Sequence, residues 1–500
     1  MSFRVSLAWM TVSQGALFVL QFIVSVIIAR LLGPYEMGIF AVAMSVLGML
    51  SIIRSVGLGS YLVRAPELTK PLLATVFTIN ALLAVLVAVG VFGLGLLGAA
   101  LLQEPGVRRL LLVLTVVPLL GIFDLVPAAG IERRGDFRSI AIINVIRFGS
   151  GSAATLAFAY FGSGYMSPGY GHIISAILAT ILNNIFGRRL VAVRFGLEQW
   201  REITRFGLQM LSISALFGLQ GRIADLLMAR LLGLSALGVF SRANSLTGVL
   251  WENVQTIVLR VFFVKFSAQR RQGLPVGESY LRLIGSLTGL LWPAFVGMAV
   301  VAGPLVEALY GDQWISAALP LSLLAVSSVA FVPLMAGSDV FIVSGQTGLQ
   351  TRIELARAPL SLALFSAGCL ISLPVAAGMK IVEASVTLWM YHSHLARMTG
   401  TRWSDFIPVY RNGILLAITA ATPVTIVMLS YGWSPHTPLN LIITACVAGV
   451  LGWAAALRMF RHPLWDEVQG VITSLMSRWL PKPQSFPTRE PPPSERSGGS

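Results

Sequence analysis

The sequence predicts an all-α polytopic membrane protein of about 14 transmembrane helices. Two parallel-repeat six-helix lobes would surround a central cavity, with two peripheral helices beside them. Three observations predict it. Of the 500 residues 56% are hydrophobic and only 11% charged, whereas a soluble chain carries about 25% charge. Apolar runs long enough to cross a bilayer, about 20 residues each, recur along the whole chain. A twelve-residue segment returns after 200 residues. Together they exclude a soluble enzyme, a disordered chain and a disulfide-rich secreted protein. Cys369 and Cys446 both lie in apolar runs and read as packing residues.

The expected spans are 8–30, 37–58, 71–102, 109–131, 140–161, 169–187, 206–230, 237–262, 282–306, 316–343, 356–375, 380–396, 413–431 and 438–458. The first is too long for a cleaved signal's apolar region, and no small-residue cleavage site follows it. Charge then orients the bundle. The balance of 36 Lys+Arg over 21 Asp+Glu gives +15. We read this as the Lys/Arg excess of cytoplasmic loops and not as a nucleic-acid footprint. With the N-terminus inside, 20 basic residues fall on the cytoplasmic side and 5 on the other, namely Arg30, Arg108, Arg109, Arg230 and Lys380. Both termini are thus expected in the cytoplasm. Trp465, Val468, Ile472, Leu475 and Trp479 recur at helical spacing and predict an interfacial amphipathic helix over 461–480. The Pro/Ser/Gly-rich stretch 481–500 predicts a disordered tail.

The repeat aligns Ala29-Arg-Leu-Leu-Gly-Pro-Tyr-Glu-Met-Gly-Ile-Phe40 with Ala229-Arg-Leu-Leu-Gly-Leu-Ser-Ala-Leu-Gly-Val-Phe240, identical at seven of 12 positions. Each copy is the turn between the first and second span of a block of six. Six is even, so the lobes point the same way: 1–200 and 201–400, with spans 13 and 14 in 401–460 outside the repeat. Arg30, Gly33 and Gly38 mark the first turn, and Arg230, Gly233 and Gly238 the second. A capping or lobe-symmetry role is expected for the two arginines.

Ionisable groups inside a membrane are expensive and usually face a cavity or a partner. Gln14, Gln21 and Ser25 share one face of the first span. Arg147 lies near mid-depth of the fifth. Arg222 and Asp225 are i,i+3 neighbours in the seventh and could pair along it. In the eighth, Arg242, Ser245, Glu252, Asn253 and Thr256 fall within about a 100° arc. Arg147, Arg222, Arg242, Gln21 and Asn253 are therefore the candidate cavity residues. Asp124, Asp225 and Glu252 are candidates for ion coupling. Arg54, Arg260, Glu354 and Arg357 are expected to snorkel to an interface. Forked, permanently charged arginines suit a diphosphate. No phosphate-binding loop, zinc-protease motif or nucleophile elbow occurs, and His392 with His394 do not share a helix face. No enzyme, cofactor or metal is expected.

The segments also carry a resemblance. The repeated turn is joined by Ile131-Glu-Arg-Arg-Gly-Asp-Phe-Arg138, by Asp225 followed by Leu232-Gly233 and Gly238-Val-Phe-Ser-Arg-Ala243, and by Leu309-Tyr-Gly-Asp-Gln-Trp314. In order and spacing, over roughly 5–400, they resemble the polysaccharide-transporter branch of the multidrug/oligosaccharidyl-lipid/polysaccharide exporter superfamily. Phe262-Phe-Val-Lys-Phe266 departs from that pattern in lacking a proline, and the turn around Tyr165-Met-Ser-Pro168 is altered. The resemblance implies a V-shaped two-lobe fold with alternating access. It also implies export of an undecaprenyl-diphosphate-linked glycan for capsule, exopolysaccharide or O-antigen, beside a polymerase and glycosyltransferases. A drug or small-metabolite antiporter of the same superfamily is the alternative within transport. A membrane glycan polymerase or ligase is the alternative in another class, and short outer loops speak against it.

Overall fold

The computed structural model describes residues 3–54, 56–102, 104–188, 194–254, 259–460 and 462–465. The expected amphipathic helix, beyond its first residues, and the expected tail lie outside the described residues. The first ten helices are α1 (Phe3–Leu31), α2 (Pro34–Ser51), α3 (Leu58–Arg64), α4 (Lys70–Leu102), α5 (Pro105–Leu114), α6 (Val116–Leu120), α7 (Leu125–Arg133), α8 (Phe137–Tyr160), α9 (Ser167–Phe186) and α10 (Trp200–Leu232). Ten more follow: α11 (Leu234–Val254), α12 (Arg260–Arg271), α13 (Gly277–Val300), α14 (Ala302–Tyr310), α15 (Ala318–Phe331), α16 (Gly337–Val343), α17 (Thr347–Cys369), α18 (Leu373–Thr399), α19 (Trp403–Ser430) and α20 (Leu439–Met459). No strand occurs among the described residues.

Among the described residues nine helical stretches are long and apolar enough to cross a membrane. There are ten if the pair Pro105–Leu120 and Leu125–Arg133, bent by 49°, is one span. The chain is a multi-pass membrane protein. The other four expected spans coincide with α1, α10, α11 and α17. These are helical too; of α1 only the apolar stretch Phe18–Leu31 counts among the described residues, and the others carry the polar groups singled out above.

The bent pair shows how a break survives inside a membrane. A broken helix frees backbone carbonyls, which no lipid can satisfy. Here the Arg54 guanidinium donates to the Gly121 carbonyl (3.1 Å) and to Asn80 Oδ1 (3.3 Å). Asn80 Nδ2 donates to the Gly121 and Ile122 carbonyls, and Asn184 Nδ2 to that of Phe123. Asp124, at the break, accepts from Asn183 Nδ2 at 2.5 Å. Arg54 therefore does not snorkel: it braces the break.

The core is continuous across the two halves. One apolar cluster takes in Ala29, Val42 and Leu110 from the first half with Met228, Leu237, Trp314 and Ala376 from the second. Outside the repeat, α19 packs on α13 and α20 packs on α19. The linker between α19 and α20 is tied down by His436, whose Nδ1 lies 2.7 Å from Glu307 Oε1 of α14. That hydrogen bond raises the imidazole above its ordinary 6.5, with the Glu307 and Asp312 charges adding to the effect. A raised folded pKa contributes stability that is complete below the unfolded value and lost as pH rises through the folded one. The loop at 432–438 is thus expected to loosen on the alkaline side of 6.5. Amide exchange across a pH series checks it, and faster exchange on acidification would contradict it.

Candidate functional site

The repeated turn builds the meeting of the two halves. Pro34 at the first position of α2 has its φ preset for a helix and lacks a donor the helix end does not use. The Gly33 N–H donates to Glu36 Oε2 at 3.1 Å, closing the first turn. Gly233 sits at φ 89°, a region that favours glycine. From these turns α2 and α11 run against each other with backbone touching backbone. A Cβ on Gly38 would overlap the carbonyl oxygen of Leu234, and one on Gly238 would overlap that of Pro34. Positions 34 and 234, like 38 and 238, are counterparts in the repeat. The contact is therefore reciprocal, as across a two-fold axis.

A clasp flanks this seam. Arg30 donates from Nη2 to the Ala308 carbonyl (2.5 Å) and from Nε to that of Leu309 (2.9 Å). Trp314 Nε1 returns a bond to the Ala29 carbonyl at 2.7 Å, with Gln313 Nε2 donating to the same atom. The Ala308 and Leu309 carbonyls are left over at the end of α14 and that of Ala29 at the end of α1, where a helix has no partners of its own. Arg30 thus reaches from α1 to the last carbonyls of α14; Arg30 and Arg230 are both exposed. Further in, Arg242 Nη1 of α11 donates to Ser25 Oγ of α1 at 2.9 Å, and Arg242 Nε is buried with no partner. These contacts gather at the end holding the repeated turn, which we call the turn end. The opposite end carries Arg64, Arg133, Arg138, Arg270, Arg397 and Arg402 near helix termini, and is called the basic end.

Below the seam lies a polar layer. Ser45 Oγ of α2 donates to Asp225 Oδ2 of α10 at 2.7 Å. Arg222 lies exposed along α2, its Nε 2.8 Å from where a Cβ on Gly48 would stand. Arg222 and Asp225 do not close the ion pair their spacing suggested, because each is turned to α2. Behind them α17 and α18 hold a network that the sequence reading placed elsewhere. Arg357 bridges Glu354 (2.8 Å) and Glu383 (3.0 Å), and Lys380 holds the other oxygen of Glu383 at 2.8 Å. Tyr391 donates to Glu354 at 2.5 Å, and Arg357 Nη2 donates to Gln220 Oε1 of α10 at 3.0 Å. Gln220 Nε2 passes the chain on to Ser361 Oγ at 2.6 Å. Lys380 and Glu383 reach a cavity of about 320 Å³, shared with Asn244, Thr247, Ser327 and Ser328.

Glu354 and Arg357 therefore do not snorkel, and Lys380 is not an outer-loop charge. Their i,i+3 pairs, Glu354 with Arg357 and Lys380 with Glu383, were the available signal. Arg222 and Asp225 of α10 both meet α2, whereas Arg242 of α11 reaches Ser25 of α1. Arg147 stands exposed on α8, and Gln21 is exposed on α1. Asp124 belongs to the helix break. The side chains of Gln14, Glu252, Asn253 and Thr256 lie outside the described residues.

Comparison with known proteins follows this geometry. A family model described as "Polysaccharide biosynthesis protein" matches residues 27–319, more than half of the chain. The chain is 28% identical over 330 residues to the succinoglycan biosynthesis transport protein ExoT of Rhizobium meliloti, 66% of each chain. It is 22% identical over 325 residues to the lipopolysaccharide biosynthesis protein WzxC of Escherichia coli K12, covering 64% of this chain and 65% of that one. Just under two thirds of each relative's length is matched. In fold it is similar to the lipid II flippase MurJ in an inward closed conformation. The TM-score is 0.73 at 12% identity, over 90% of this chain and 98% of that chain.

Proposed function

The chain belongs to the polysaccharide biosynthesis protein family, and from that premise we propose that it is a flippase for undecaprenyl-diphosphate-linked oligosaccharide. It would move its substrate across the bacterial inner membrane for surface polysaccharide assembly. The observation that carries the reading is the arrangement of the two halves. They are sealed to one another at the turn end by a reciprocal seam and a clasp, with arginines and a hydrogen-bonding layer beneath it. That is the form of a carrier closed on one side, and ExoT is itself named a transport protein.

In this reading the lobes are 1–200 and 201–400, and α19 and α20 are peripheral. The excess of Lys and Arg makes the basic end cytoplasmic, with both termini there. The diphosphate head and sugars enter beneath the seam while the lipid tail stays in the bilayer. Arg222, Arg242 and Arg147 offer forked donors to the phosphates. Asp225 and the Lys380–Glu383–Arg357–Glu354 network supply hydrogen bonds and pre-paired charge, so a head group meets a wall that needs no external ion to neutralise it. An inside-negative potential favours outward movement of uncompensated negative charge by about 2.3 kcal/mol per charge per 100 mV. A polymerase and glycosyltransferases would act before and after transport. The chain itself works as a carrier and not as an enzyme.

The test uses a deletion strain. Surface polysaccharide and the sidedness of labelled lipid-linked oligosaccharide are measured with wild type, Arg222→Ala and Arg242→Ala. The expected result is precursor held on the cytoplasmic leaflet in the deletion and in both variants, with membrane insertion retained. Normal glycan in the deletion strain together with lost efflux of a soluble compound would transfer the reading to a small-molecule antiporter.

A further inference from the structure

A second site stands at the basic end, away from the cavity and independent of the transport reading. Between α17, α18 and the start of α19 runs an apolar groove of about 900 Å³, lined by Ile353, Leu388, Trp389, His392, Ala396 and Trp403. It faces outward: Trp389 is 79% exposed and Trp403 57% exposed. Tryptophans exposed on the flank of a membrane protein mark the bilayer and its interface. From Ser385 to Ala396, its two end residues on α18, the groove runs about 16 Å, at 1.5 Å per residue. That is half of a hydrocarbon core about 30 Å thick, the depth of one leaflet.

His394 lines this groove and also a second cavity of about 780 Å³ at the basic end, walled by Arg270, Arg397, Thr399, Thr401, Glu278 and Asp405. This second cavity is polar, and its charges are unequal in availability. Asp405 is engaged at the start of α19, accepting the Arg402 N–H at 2.8 Å and the Ser404 hydroxyl at 3.4 Å. Glu278 sits in the first turn of α13, where a helix N-terminus compensates a carboxylate. Arg270 and Arg397 close α12 and α18 and enter no ion pair among the described residues. One leaflet's depth of apolar groove therefore leads to two uncommitted guanidiniums at the level of the head groups.

We propose that this composite site binds an anionic phospholipid of the leaflet at the basic end, one acyl chain in the groove and the phosphate between Arg270 and Arg397. A soluble anion would not use the groove, and a neutral lipid would not use the arginines. The occupant ties α12, α18 and the start of α19 together, so it braces the inner end of the peripheral pair against the second half.

The probe is phosphatidylglycerol. The full-length protein is purified from nanodiscs of equal phosphatidylglycerol and phosphatidylcholine, and retained lipid is counted by native mass spectrometry. Wild type is expected to retain phosphatidylglycerol in preference to phosphatidylcholine. Arg270→Gln with Arg397→Gln is expected to weaken that retention about thirtyfold, as loss of two basic groups near a membrane surface implies. Arg458→Gln, which removes a cation from α20 at the same end, is expected to leave it unchanged. Wild type without a preference would overturn the proposal whatever the variants do. So would equal loss in the double variant and the Arg458→Gln control, which would indicate general attraction of lipid to a basic surface. Displacement of the retained lipid by a prenyl diphosphate, in a protein that does not distinguish the two phospholipids, would assign the groove to the transported lipid instead.

Discussion

Gly38→Ala is expected to pry the two halves apart at the turn end. The new Cβ would overlap the Leu234 carbonyl oxygen, a backbone atom that no rotamer can move aside. Relief requires α2 and α11 to separate, and overpacking of this kind costs about 1–3 kcal/mol. Charged to the turn-closed state alone, that shifts the equilibrium between closed and open about five- to 150-fold. Gly238→Ala should act through Pro34 to the same extent, because the contact is reciprocal. The double variant should fall short of the sum, since one separation relieves both clashes. Spin-label distances across the turn end, read beside precursor sidedness, check this. An unchanged distance distribution with full transport would contradict the role given to the seam. Gly233→Ala is a different case, because its φ of 89° strains the turn without touching the other half.

The second large effect is expected at Arg357. Its guanidinium is the hub between Glu354, Glu383 and Gln220, and the side chains of the two carboxylates are only 11% and 6% exposed. Arg357→Ala strands buried negative charge, and breaking a buried pair from one side costs about 3–5 kcal/mol. We expect a sharp loss of folded protein in detergent. Arg357→Ala combined with Glu354→Gln should recover part of it, because the amide keeps a hydrogen-bonding partner for Tyr391 and carries no charge. Thermal unfolding of the purified variants measures both. Equal stability of wild type and Arg357→Ala would mean that water, and not Arg357, satisfies the carboxylates.

The difference between these two sites explains what the sequence revealed and what it concealed. Lipid contact demands long apolar runs, so most spans could be read directly. The turn repeat was legible because both copies solve one backbone problem with the same glycines. The network on α17 and α18 was missed for a definable reason. The eleventh span was expected to begin at 356, but α17 begins at Thr347. Glu354 and Arg357 thus lie seven and ten residues inside a helix instead of at its mouth. Likewise α18 begins at Leu373 and not at 380, which places Lys380 inside the bundle. Charges near a span's edge dilute the apolar signal that locates the edge, so the groups most relevant to a buried site hide their own position. The Arg54 brace was beyond reach for another reason. Its partners, at 80 and 118–124, are distant in sequence, and nothing local marks them.

The reciprocal seam also says what sort of object this chain is. In the two-lobe reading proposed above, it has the form of a two-fold dimer interface carried on one polypeptide. A true homodimer must present the same residues from both sides. Fusion lifts that constraint, and the two halves have used the freedom. In that reading the fifth and sixth spans of the first half, α8 and α9, carry Arg138 and Arg147 and no carboxylate; their counterparts in the second half, α17 and α18, carry a self-neutralising set of acids and bases. The interior therefore has a left and a right hand. In the proposed flippase, a guest with one charged end and one hydroxyl-rich end would tell them apart, a choice that a symmetric pair of subunits could not offer.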